Sequence, residues 1–104
     1  VDIEVDGPGR VTIGEEATFD AFVTYAGEPY PSDAIKEVLY LLFDATGALA
    51  DSGSLEMVEE GLYSVTLSAD VTGALETGSN RIEVIATSNL IAIPGQASYE
   101  FVTE

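Results

Sequence analysis

The groups in this chain that could do chemistry are carboxylates and hydroxyls. It has 19 acidic residues and five tyrosines, and neither histidine nor cysteine. Their absence removes imidazole general bases, thiol nucleophiles and thiolate zinc sites together, and a Ser-His-Asp arrangement cannot be built within the chain. Paired acids remain. Glycoside cleavage needs two carboxyls roughly 5–10 Å apart across a sugar cleft, and Glu56, Glu59 and Glu60 are the set that invites it. No Trp accompanies them, and Tyr25, Tyr30, Tyr40, Tyr63 and Tyr99 fall mostly at apparent core positions, which leaves no aromatic platform for a sugar. Hard oxygens for calcium are present at Asp2, Asp6, Asp44, Asp51 and Asp70. No Asp-x-Asp-x-Asp-Gly loop gathers them, so a calcium site would need loops meeting at one end of the fold. The expectation from these residues is a chain that is not an enzyme and carries no catalytic, cofactor-binding or metal-binding side chains.

The stretch DVTGALETGSNRIEVIATS, Asp70 to Ser88, mixes carboxylates, hydroxyls and glycines as an active-site loop would. An ordinary explanation covers it. Tyr63 to Ala69 alternates as one strand and Arg81 to Thr87 as another, and the connection is longer than the about 2–5 residues of a tight hairpin. That length suits a crossover between two sheets. Leu75 is its one large apolar residue and is expected to plug the end of the core. Gly73 and Gly78 permit the bends, and Asp70 and Thr72 can bond nearby backbone N–H groups.

Charge narrows the partners. Three basic residues, Arg10, Lys36 and Arg81, stand against the 19 acids, for a net charge of -16. Phosphate recognition needs clustered Lys and Arg, so nucleic acid is excluded, and an anionic membrane surface would repel the chain. No stretch approaches the ~20 apolar residues of a membrane-spanning helix. The acids are scattered rather than gathered in a tail, which reads as solubility or as adaptation to salty or acidic surroundings. The chain opens on Val1 and shows no signal peptide, and is read as a piece of a longer protein.

Alternation dominates the rest. Ala17, Phe19, Ala21, Val23 and Tyr25 form one face of a strand, and Thr18, Asp20 and Thr24 the other. Tyr63, Val65, Leu67 and Ala69 repeat the pattern, as do Ile82, Val84 and Ala86, and then Ala97, Tyr99 and Phe101. Period two with one apolar face is a half-buried strand. Asp6-Gly7-Pro8-Gly9, Gly14 to Glu16, Ala26 to Pro29 and Asp44 to Gly47 punctuate the runs as turns. Short strands, regular turns and almost no helical period predict one all-β domain over residues 1–104. Its expected form is an immunoglobulin-like antiparallel β-sandwich of seven or eight strands with Greek-key connections.

The runs GEEATF, LYLLFDATGALADSG and EEGLYSVTLSADVTGALETGSNRIEVIA resemble bacterial immunoglobulin-like or fibronectin-III-like modules. They share an apolar strand closed by Asp-x-x-Gly, a Gly-x-Tyr strand start and a Leu-x-x-Gly crossover. Asn80 and Arg81 stand where such modules often carry Tyr. The tail SNLIAIPGQASYEFVTE resembles the C-terminus of extracellular solute-binding proteins of peptide-type ABC transporters, where a small sandwich follows the ligand-binding lobes. The resemblance implies a non-catalytic accessory domain of such a protein, extracellular or on the surface of a bacterium or archaeon. The alternative is a spacer or repeat module of an adhesin or secreted enzyme, with calcium or carbohydrate binding left open.

One strand breaks the pattern. From Ile35 to Phe43 both alternate sets are apolar, Leu39, Leu41 and Phe43 on one side and Val38, Tyr40 and Leu42 on the other, apart from Lys36 and Glu37 near its start. A sandwich strand needs only one apolar face. Val38, Tyr40 and Leu42, with Ile85, Val102 and the tip Leu90, Ile91 and Ile93, are therefore expected to form an exposed patch, and such patches mark partner surfaces. The partner would be the remainder of the parent protein or a second copy, with a homodimer for the isolated fragment. Burial beneath a loop, or a reversed facing of the strand, would account for the same residues.

Overall fold

A computed structural model of the chain describes residues 2–31, 33, 35–88 and 95–104. Its alternating segments pair into two sheets. The first has the order β1 (Asp2–Asp6), β3 (Ala17–Tyr25), β8 (Leu62–Leu67), β7 (Glu56–Glu59), with β4 (Glu28–Pro29) also on β3. The second runs β2 (Arg10–Val11), β10 (Gly95–Thr103), β9 (Gly78–Ser88), β5 (Ile35–Phe43), β6 (Leu49–Ser54). All pairings are antiparallel except that of β10 with β2. The fold is all-β, with ten strands among the described residues where seven or eight were expected. The two without a periodic signature are β4, a two-residue pairing, and β6, whose run LADSGS has a single large apolar residue.

The core lies between the sheets, where the inward sets meet. Phe19 and Val23 come from β3, Leu67 from β8, Ile82 and Val84 from β9 and Phe101 from β10, all essentially without solvent contact. Phe19 is the hinge of this packing. Its ring lies 5.0 Å from that of Phe101 and 6.0 Å from that of Tyr99, within the range of favourable aromatic pairing. Gly7 backs onto the same ring, where a Cβ would come within 2.5 Å of Phe19 Cδ1. The Tyr99 hydroxyl donates to the Gly7 carbonyl at 2.7 Å, which ties the loop after β1 to the opposite sheet.

The crossover from β8 to β9 does change sheets, as its length implied. It holds one short helix where no helical period marks the sequence, α1 (Ala69–Gly73), capped by the Ser68 hydroxyl, which accepts from the Val71 N–H at 3.3 Å. Thr72 is buried and donates to the Glu15 carbonyl at 2.7 Å, and Leu75 is buried in the core. Five residues are too few for a 3.6-residue apolar period to show.

Between β3 and β4 the chain turns on Ala26 and Gly27, at φ 54° and 84°. Two positive φ values in a two-residue loop make a type I′ turn, which suits the strand twist but favours Asn-Gly. Ala pays for the left-handed conformation by about 1 kcal/mol. Ala26→Asn should therefore raise unfolding stability by about 1 kcal/mol in urea melts with an unchanged m-value. Gly7→Ala should lower it by about 1–3 kcal/mol, because the new methyl must displace the Phe19 ring in a filled core.

Candidate functional site

Two surfaces carry the residues with binding or chemical potential: the outer face of the five-stranded sheet built on β5 and β9, and the open side of the sandwich where β6 faces β7.

The pairing of β5 with β9 sets the first. Val38 lies opposite Ala86, Tyr40 opposite Val84 and Leu42 opposite Ile82, while Leu39 lies opposite Ile85, Leu41 opposite Glu83 and Phe43 opposite Arg81. Directly paired residues share a face, and Arg81 and Glu83 hold theirs toward solvent. Val38, Tyr40 and Leu42 are consequently inside, at 3%, 8% and 0% exposure. The expectation that they form the exposed patch is reversed. The outward apolar row is instead Leu39, Leu41 and Phe43 with Ile85, all half-buried. The Arg81 guanidinium sits 4.9 Å from the centre of the Phe43 ring, and its Nε lies 3.4 Å from Glu83 Oε1. Val102 is outward and 42% exposed, but it pairs with Ser79, while Ile85 pairs with Gln96. Those positions are six residue steps apart along β10, about 20 Å of strand, so the fold does not bring Val102 beside Ile85. Leu90, Ile91 and Ile93 lie outside the described residues.

On the open side, a groove of about 540 Å³ runs between the sheets, lined by Tyr40, Gly53, Glu56, Met57, Ser64 and Thr66 among others. Tyr40 is its floor. Its hydroxyl donates to Asp51 Oδ2 at 2.7 Å, and its ring lies beneath Gly53, where a Cβ would approach to 3.1 Å. Burial, then the bond to Asp51 and that carboxylate's charge, push the phenol up to about 12. It is a fixed donor, held neutral through the physiological range. Tyr63 is also raised, by burial and then by the charge of Glu60.

The remaining polar clusters are structural. Asp44 Oδ1 accepts from the Thr46 N–H and hydroxyl and from the Ala48 N–H, and these bonds, led by the hydroxyl, hold its carboxyl below the usual range. That is a turn closing on itself, with Gly47 at φ 86°. Asn80 is buried and donates to the Gly78 carbonyl and to Thr103 Oγ1 at 2.9 Å, while the Thr103 hydroxyl donates to the Glu76 carbonyl. This knot fastens the end of β10 to the crossover. The isolated polar positions Asn80 and Thr103, each within an apolar inward set, were its only sequence signal.

No family model matches the chain, and no curated protein matches its sequence. Solved structures do match its fold. A superoxide reductase (neelaredoxin) from Ignicoccus hospitalis superposes with a TM-score of 0.69 at 15% identity, covering 100% of this chain and 81% of that one. A variant of that reductase gives 0.68 at 16% identity, covering 99% and 80%. A putative superoxide reductase from Thermotoga maritima gives 0.67 at 13% identity, covering 98% and 85%. Likeness at such identity shows the fold alone. It overturns the resemblance to the C-terminal domain of solute-binding proteins, because the generic strand and turn cues behind that resemblance are met by a different group of sandwiches. The accessory role in an ABC transporter, and the adhesin or secreted-enzyme spacer beside it, lose their support with it. So does the expectation that the chain is not an enzyme, since the solved structures named above are of superoxide reductases or a putative one.

This chain offers a redox metal chiefly carboxylates, hydroxyls and carbonyls. It has no His and no Cys. Among the described residues, no three acidic side chains converge on a point where a metal could sit. The residues present do not fit such a group.

The Tyr40 pair gives a pH signature. Its folded value of about 12 stands above the ordinary 10.0, so its contribution to stability is complete below pH 10 and is lost as pH rises toward 12. Alkaline melts should show that loss, and Tyr40→Phe should reduce it while costing about 1 kcal/mol at pH 7, where Asp51 loses its donor.

Proposed function

We propose that this chain is the sandwich body of a superoxide-reductase-like protein, working against a neighbouring part of that protein that holds any redox-active group. The observation that carries the reading is the likeness of fold along the whole chain, joined to a donor set without His or Cys. The solved reductases extend beyond the matched region, with 80–85% of their lengths covered, so a protein of that kind has residues to spare outside this body. Fold alone does not carry activity, and superoxide chemistry is therefore assigned to the assembly rather than to a side chain here.

The contact face in this proposal is the outer row Leu39, Leu41, Phe43 and Ile85, apolar at its centre with Arg81 and Glu83 beside it. A second copy is the weaker candidate for covering it, since each copy carries a net charge of -16 and the two would repel at ordinary salt. The rest of the parent protein is the partner favoured. An immunoglobulin-like, Greek-key description of the sandwich belongs to the same reading, supported by the crossover from β8 to β9 between the sheets. So does an extracellular or cell-surface place, which the acidic surface favours in salty surroundings.

The test compares the full-length protein that contains this chain with residues 1–104 alone, by elemental analysis and by the rate of superoxide loss. A redox metal and faster superoxide loss are expected in the full-length protein, and neither in the isolated chain. A full-length protein that holds no redox metal and leaves superoxide to decay at its spontaneous rate overturns the proposal.

A further inference from the structure

The open side of the sandwich carries a second inference, independent of the redox reading. β7 ends its sheet, with β8 on one side and no strand on the other among the described residues. It also stops short. Glu56, its first residue, pairs with Ser64, so Val65, Thr66 and Leu67 of β8 have β3 on one side and no β7 partner on the other. The groove of about 540 Å³ lies there, lined by Val65 and Thr66, by Glu56, Met57 and Val58, and by Tyr40 across from them. Its volume falls within the ~300–1,000 Å³ of ordinary ligand sites. A strand edge that ends beside a groove is the geometry of strand addition, in which main-chain bonds give affinity and alternate side chains give specificity.

The lining states the chemistry of the guest. Met57 and Val58 are 54% and 61% exposed, large for apolar side chains beside a groove. Glu56 and Glu59 flank them, and Asp51 lies behind the Tyr40 hydroxyl. Lys36 borders a separate hollow of about 360 Å³ at the other end of Met57. We propose that this edge binds an extended peptide of alternating apolar and basic residues, which continues the line of β7 along β8 at Val65–Leu67. Its apolar side chains pack on Met57, Val65 and Tyr40, and its Lys or Arg side chains, on the other face, meet Glu56. A second copy of this acidic chain has three basic residues, no two of them in one strand, and a small anion would be repelled.

The probe is an acetylated, amidated octapeptide of alternating Lys and Val, titrated into the 104-residue chain and followed by amide NMR and hydrogen exchange. The controls are the same peptide with alternate backbone nitrogens methylated and an alternating Glu-Val peptide. Saturable binding is expected, with new exchange protection within Val65–Leu67, weakened about tenfold by Glu56→Lys and by raised salt. Glu56 is exposed, so its replacement leaves the fold intact. Equal binding of the methylated peptide, shifts spread over the whole acidic surface without a plateau, or no binding of the Lys-Val peptide would each overturn the proposal.

Discussion

The register between β5 and β9 decides which half of the sheet's apolar residues reaches the core. β9 has an unambiguous face: Ile82, Val84 and Ala86 point one way, Arg81 and Glu83 the other. Slipping β9 by one residue would bury both charges, a cost of several kcal/mol that no partner inside the sandwich offsets. β5 has no such asymmetry along most of its length, and it takes its facing from β9 through eight paired positions. Two further features follow from that one pairing. Tyr40 is turned inward to floor the groove, and Phe43 is turned outward beneath the Arg81 guanidinium.

The two charges at the start of β5 show why the sequence left its facing open. Glu37 shares parity with Leu39, Leu41 and Phe43, and Lys36 with Val38, Tyr40 and Leu42, so each apolar set has one charge in line with it. The pairing with β9 resolves this by a bulge: Ile35 pairs with Ser88 and Glu37 with Thr87, and Lys36 is passed over. A bulged residue leaves the alternation, so Lys36 says nothing about the face and Glu37 alone counts. Read with that rule, the inward set is Val38, Tyr40 and Leu42. The sequence holds no local mark for the bulge itself, which exists only against its partner strand.

Other parts were legible because their physics is local. The inward face of β3, the crossing between sheets, the burial of Leu75 and the Asp44 turn all follow from period-two patterning and short-range bonding within a few residues. What was hidden depends on contacts far along the chain. The Tyr40–Asp51 bond, the Asn80–Thr103 knot and the groove beside β8 each join segments whose meeting no window of the sequence reports. The short reach of β7 is of this kind as well: an edge is defined by the strand that is missing from it.

The likeness to superoxide reductases sharpens the division between scaffold and site. A sandwich is specified by alternation, turn chemistry and a filled interior, and many sequences satisfy those demands, which is why 13–16% identity suffices for a TM-score near 0.7. A redox centre is specified by a few donor atoms at fixed positions, and no amount of alternation supplies an imidazole or a thiolate. This chain meets the first demand along its whole length and has neither imidazole nor thiolate among its side chains. Two surfaces of the scaffold face outward with apolar residues uncovered: the outer row of β5 and β9, and the strand edge beside Tyr40.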